Sequence, residues 1–194
     1  LWEWVRHELG QTVATAPDAW AALREAEDRY WLTDASLSWN GKPWIKNLER
    51  WLRQLDVAPG GVTGRGSDVR VHEVSADNGT AYEGRRVDPA QGNDTIYLAV
   101  DDAFLVGGAP PFAIKVTYLD TGGGALTLEL PTATGLLLAP AVTKRNTGAW
   151  RTATWRVSGA LLDGSLPGGA DLRLRALGGQ PLEVRFVRLI KTLQ

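Results

Sequence analysis

From about residue 112 onward, apolar and polar positions alternate with a period of two, the pattern of strands that turn one face to a core. Phe112, Ile114, Val116 and Tyr118 share one face, with Ala113, Lys115 and Thr117 on the other. Leu126, Leu128 and Leu130 do the same around Thr127 and Glu129, and Ala153, Trp155 and Val157 around Thr152, Thr154 and Arg156. Leu172 and Leu174 alternate with Arg173 and Arg175. Leu182, Val184 and Phe186 begin a last strand whose phase changes at Val187 and Leu189, which predicts a bulge. Ile96, Leu98 and Val100 mark an earlier strand, and Val69 and Val71 open the series. The turns between them fall at Asn78-Gly79, Gly107-Gly108, Gly122-Gly123-Gly124 and Gly168-Gly169. Short strands at this spacing, with glycine turns and no crossover helices, predict a mainly β protein, an antiparallel β-sandwich over residues 61–194.

Residues 1–60 follow a different pattern and read as a separate Trp-rich segment, the end of an upstream domain or a bridge. Trp44, Ile45, Leu48, Trp51, Leu52 and Leu55 fall at helical spacing, with Lys46, Asn47, Glu49, Arg50 and Arg53 opposite. Pro43 suits the first turn of such a helix. A second helix is expected from Pro17-Asp18 through Glu27, with a short strand over Ala19–Arg24 as the alternative. Asn40-Gly41 is a tight-turn signal between the two tracts. The stretch from Ala58 to Gly66 is a Pro/Gly connector with no periodic face.

Composition narrows the functional classes. The net charge is −1, with arginines scattered along alternating strand positions, so a nucleic-acid partner is not expected. There is no Cys, hence no disulfide framework, thiol nucleophile or Cys-based zinc site. There is no Met either, and the chain starts at Leu1 in a structured-looking Leu-Trp-Glu-Trp-Val run, which reads as a processed piece or a fragment. No apolar run reaches the length of a bilayer span and no signal peptide is present. His7 and His72 lie in different regions, without the companions a triad or zinc site needs. Gly122-Gly123-Gly124 lies between strands, not before a helix, so it is no phosphate loop.

Four runs carry a likeness: Asp101-Asp-Ala-Phe-Leu-Val-Gly-Gly, the strand Phe112–Asp120, Gly148-Ala-Trp-Arg-Thr-Ala-Thr-Trp155, and Gly168-Gly-Ala-Asp-Leu-Arg-Leu174. Together they resemble the jelly-roll, galactose-binding-like β-sandwich domains attached to secreted bacterial glycoside hydrolases and related exported proteins, over residues 68–191. The resemblance implies a non-catalytic carbohydrate-binding or carbohydrate-associated module at a secreted or cell-surface location. It also implies that a structural calcium ion is possible, with Glu73, Asp77, Asp88, Asp120 and Asp171 as candidates. Their spacing matches no contiguous calcium loop, and ordinary turn acids are the other reading. No other cofactor is expected. Ala19-Trp-Ala-Ala-Leu-Arg-Glu25 resembles the segment that joins the catalytic barrel to such a sandwich in some of those hydrolases.

Sugar recognition stacks an aromatic ring on the apolar face of a pyranose, with polar groups near the hydroxyls. Tyr30, Trp31, Trp39 and Trp44 cluster around the Asn40-Gly41 turn as one candidate platform, or else they attach this segment to the sandwich. Trp155 is in phase with the core; Trp150, five positions earlier, faces the other way and is the sandwich's own ligand candidate. Glycoside hydrolysis needs two placed carboxylates, and neither Asp101-Asp102 nor Glu25, Glu27 and Asp28 forms such a pair. Three functions remain: a glycan-binding module, a structural or interaction domain packed on an upstream domain or neighbouring subunit, and the end of a hydrolase whose catalytic residues lie upstream.

Overall fold

In a computed structural model of the chain, which describes residues 12, 15, 18–23, 26–27, 48–66, 80–81, 84–105 and 111–191, the alternating segments become strands of two facing sheets. The first strands are β1 (Asp18–Ala22), β2 (Ala26–Glu27), β3 (Leu48–Arg50), β4 (Leu52–Leu55) and β5 (Gly64–Arg65). Next come β6 (Thr80–Ala81), β7 (Arg85–Val87), β8 (Thr95–Val100), β9 (Phe112–Leu119) and β10 (Ala125–Thr132). The chain continues through β11 (Gly135–Leu138), β12 (Val142–Thr143), β13 (Trp150–Val157), β14 (Leu172–Leu177) and β15 (Leu182–Lys191). One sheet has the order β13-β9-β15-β1-β3, with β7 beside the first part of β15 and β5 beside β7. The facing sheet runs β11-β10-β14-β8-β4, with β12 also on β10. β2 and β6 pair separately.

From β8 to β10, and again from β13 to β15, successive strands alternate between the two sheets, and their pairings are antiparallel. This is jelly-roll connectivity. It follows from the period-two pattern, because a strand with one apolar face must find a second sheet to cover it. Ile114 and Val116 from one sheet meet Leu98, Leu128 and Leu174 from the other, all at 0% exposure. Burying each such side chain contributes about 1.5–3 kcal/mol relative to leaving it in water. The phase change in the last strand is a bulge between Val184 and Phe186 against β9, which returns Val187 and Leu189 to the core.

The helix expected over residues 44–55 is not formed where the structure describes it: residues 48–50 and 52–55 are strands. Trp51, between them, has φ of 58°, in the left-handed region. There the chain leaves β1, its partner in one sheet, for β8, its partner in the other. That single turned residue interrupts the alternation, so two short strands reproduce the i, i+3, i+4 spacing of a helix. The helix expected from Pro17 to Glu27 is likewise replaced by β1 and β2, the strand alternative for Ala19 onward. β1 pairs with β15 from Asp18↔Ile190 to Ala22↔Phe186, and this tertiary pairing overrides the helix preference of Ala and Leu. Tyr30, Trp31, Trp39, Trp44, His7, His72, Glu73, Asp77 and the Val69–Val71 strand lie outside the described residues.

Candidate functional site

Trp150 opens β13, opposite Leu119 of β9, with Arg151 opposite Tyr118 and Thr152 opposite Thr117. Trp155 is 5% exposed and donates its Nε1–H to the Pro140 carbonyl at 2.8 Å, fastening β13 to the segment that runs into β12. Trp150, on the opposite face, is half-buried, and the Arg185 guanidinium lies 4.6 Å from its ring centroid. A cation at that distance holds one ring face by cation–π attraction and leaves the ring in a defined orientation.

The approach to Trp150 is shaped by Asp120, which has no exposure to solvent. Its Oδ1 accepts the backbone N–H of Arg145 at 2.6 Å and of Asn146 at 3.2 Å, and its Oδ2 accepts the Thr147 hydroxyl at 2.6 Å. Arg151 Nε sits 3.0 Å from Oδ2. The Thr147 hydroxyl first, then the amides of residues 145–147, hold this carboxyl down to about 2 against the effect of burial. Asn146 adopts φ of 56°, which its short side chain tolerates, and its Oδ1 accepts the Gly122 N–H at 2.7 Å. Lys144 is buried and donates to the carbonyls of Thr121 and Pro181, at 2.9 and 2.6 Å. Burial pushes its ammonium pKa down, with Asp120 opposing. Residues 144–147 are thus pinned against the end of β9.

Between this pinned segment and the start of β13 lies a cleft of about 660 Å³. Its walls include Tyr118, Thr143, Arg145, Trp150, Arg151 and Thr152. The Tyr118 ring is in the core, and its hydroxyl makes no hydrogen bond to another described residue. Burial and the Asp120 charge push the Tyr118 pKa up, while Arg151 and Arg145 pull it down, so both guanidiniums act on that hydroxyl. The cleft is therefore lined by an apolar ring from one face of β13 and by hydroxyl and guanidinium donors, Arg151 among them from the other face.

A second cleft, of about 490 Å³, lies between the start of β4, the end of β8 and residues 163–171. Trp51, Arg53, Asp101, Asp102, Asp163 and Asp171 line it. The Trp51 Nε1–H is buried without a hydrogen-bond partner. Asp171 accepts the Val100 N–H and the Gly164 N–H, each at 2.7 Å, so both its oxygens serve the backbone. Burial pushes the Asp171 pKa up, these amides oppose it, and the charges of Asp102 and Asp163 add to the rise.

Of the calcium candidates, three are described, and they are separated. Asp88 caps the 3₁₀ turn Pro89–Gln91 through the Ala90 N–H at 3.0 Å, Asp120 pins residues 145–147, and Asp171 ties β8 to Gly164. Among the described residues no three His, Asp or Glu side chains are grouped so as to hold a metal. The four aromatics around Asn40-Gly41 lie outside the described residues, so Trp150 alone of the expected sugar platforms is placed. Tyr118, Arg145 and Arg151 were not expected at a site. Tyr118 reads as core, and the two arginines read as solvated positions. The one local hint is Asp120 at the strand end, since a carboxylate following an apolar strand commonly binds turn amides.

No family model matches the chain, and no curated protein matches it. Among solved structures, it is similar to a carbohydrate-binding module (CBM6cm-2) of Cellvibrio mixtus lichenase 5A in complex with cellotriose, at 17% identity and a TM-score of 0.35. That match covers 71% of this chain and 93% of the module. It is also similar to the BiXyn10A CBM1 module in its apo form, at 12% identity and a TM-score of 0.34, covering 72% of this chain and 97% of that one.

Proposed function

We propose that this chain is a non-catalytic carbohydrate-binding module of a secreted or cell-surface protein, and that it binds glycans in the Trp150 cleft. The observation that carries this reading is a cleft lined by the oriented Trp150 ring, by a Tyr118 hydroxyl that bonds no other described residue, and by the guanidiniums of Arg145 and Arg151. A pyranose has the complementary surface: a C–H face that stacks on a ring, edged by hydroxyls that accept and donate hydrogen bonds. Among the described residues no carboxylate lines this cleft, and Asp120 behind it is saturated with donors and held ionised, so it cannot serve as a general acid at neutral pH.

The test is affinity electrophoresis and calorimetry of the wild type and Trp150→Ala against a panel of soluble neutral and acidic polysaccharides. Arg185 covers one ring face, so a sugar gains roughly 80–100 Å² of contact on the other, worth about 2 kcal/mol. Trp150→Ala is expected to weaken binding by roughly 30-fold while the thermal midpoint stays near that of the wild type. A wild type that binds no glycan, or a variant that binds as well as the wild type, overturns the reading.

A second reading, a structural or interaction domain, is favoured by a separate observation. The edge strand β11 carries Leu136, Leu137 and Leu138, and Leu161 adds to the exposed apolar surface; Leu138 is 63% exposed. Apolar side chains on an open sheet edge suit contact with another protein surface.

A further inference from the structure

The chain has 21 basic and 22 acidic side chains, so its overall charge gives no bias toward an anionic or a cationic ligand. The two clefts break that balance in opposite directions. The charged side chains lining the Trp51 cleft are Asp101, Asp102, Asp163 and Asp171 against Arg53. Among the described residues, those lining the Trp150 cleft are Arg145 and Arg151, the latter paired with the buried Asp120 behind it.

The two arginines are available in different ways. Arg145 is exposed and its side chain has no ion-pair partner among the described residues, because Asp120 takes its backbone N–H instead. Arg151 points its Nε at Asp120 and Thr147, and the side chain remains 48% exposed. Its Nε is fixed by a buried carboxylate, and the side chain lines the cleft. The Tyr118 hydroxyl, which feels both guanidiniums, bonds no other described residue, and Arg185 lies over the Trp150 ring. A planar, delocalised cation matches carboxylate and sulfate oxygens two at a time, and such charge-assisted bonds are stronger than bonds to neutral hydroxyls.

Resting on the proposed glycan-binding function, we infer that the Trp150 cleft selects acidic saccharides, with one sugar residue stacked on Trp150 and a carboxylate or sulfate of the same glycan held by Arg145, Arg151 and the Tyr118 hydroxyl. Neutral sugars of the same shape fill the stacking position but leave the guanidiniums to water. The selection is therefore electrostatic, and it weakens as salt rises.

The experiment measures Kd by calorimetry at low and moderate salt for four probes. These are polygalacturonate, a neutral galactan of matched length, carrageenan (a sulfated galactan without carboxylates) as the sulfated arm, and polyglutamate as a polyanion without sugar. Polygalacturonate or carrageenan is expected to bind about tenfold tighter than the galactan at low salt. Arg145→Gln is expected to bring the acidic-to-neutral ratio toward one, and Arg145→Lys to keep part of it. Asp120 holds the backbone of residue 145, so the pinned segment survives either change. Equal affinity for galactan and both acidic glycans sinks the selection while leaving glycan binding intact. Polyglutamate binding as tightly as the glycans sinks it as well, since charge alone would then suffice. No binding to any glycan sinks both readings. Whichever acidic polymer binds tighter identifies the carboxylate or the sulfate as the group read.

Discussion

Glu129 is a carboxylate in the middle of a sheet, only 2% exposed, and its removal is the sharpest stability test this fold offers. The registers place it opposite Leu138 of β11 on one side and Arg173 of β14 on the other, and Arg173 in turn opposite Tyr97 of β8. Arg173 donates its Nε–H to Glu129 at 2.6 Å and its NH2 lies 2.6 Å from the same oxygen, while Arg175 NH1 stands 3.8 Å from the other. Burial disfavours the charge on Arg173, but the hydrogen bond and charge of Glu129, helped by Tyr97, prevail and raise its pKa. Truncating one partner of a fully buried pair costs about 3–5 kcal/mol, because the other charge is stranded. The Arg173 side chain is 20% exposed and can recover part of its hydration, which brings the expected cost of Glu129→Ala to about 2–3 kcal/mol. Glu129→Gln keeps the shape and one acceptor and is expected to cost about 1–2 kcal/mol. In a chain of this size the Ala change corresponds to a fall in Tm of roughly 5–10 °C. Urea denaturation followed by tryptophan fluorescence gives the free energies, and a cycle with Arg173→Met isolates the pair. If Glu129→Ala costs less than about 0.5 kcal/mol, or the two changes simply add, the pair does not hold the sheet and the reasoning fails.

Two further outcomes follow from the same geometry. Asp120 has its carboxyl lowered from 3.8 to about 2 in the fold, so its contribution is present above pH 4 and is lost as pH falls from about 4 to 2. Asp171 is raised above 3.8, so its effect has the opposite sign: stability declines as pH climbs from 3.8 through its folded pKa. Urea midpoints taken in steps from acid to neutral pH should show Asp120→Asn losing the acid-side slope, and a variant that keeps the full slope contradicts the assignment. Leu138→Lys on β11 is expected to change stability by less than about 0.5 kcal/mol while reducing any self-association or partner capture seen by sedimentation. A wild type that stays monomeric and captures nothing removes the support for the interaction reading.

Strands β8, β9, β10, β13, β14 and β15 were legible from alternation, because a two-residue period forces one face of each strand into a core whatever the sheet order. The short β11 and β12 show no such alternation and were not read. The bulge in β15 was legible for the same reason, as a break in phase. The opposed orientations of Trp150 and Trp155 also came from counting positions along one strand. Residues 48–55 were misread because Trp51 turns the chain between two sheets, and a turned residue between two short strands copies helical spacing. Only β1 and β8, which are distant in sequence, supply the hydrogen bonds that make those residues strands. The Trp150 cleft was half legible. Its ring could be picked out, but Arg145, Tyr118 and Arg151 could not, since nothing local distinguishes a solvated arginine or a core tyrosine from one at a site. They are brought together by cross-strand register and by the buried Asp120 carboxylate, which binds the amides of a segment 25 residues away. Local chemistry decides which faces are apolar, whereas the meeting of side chains from separate strands is a tertiary fact, set by which sheets pair and in what register.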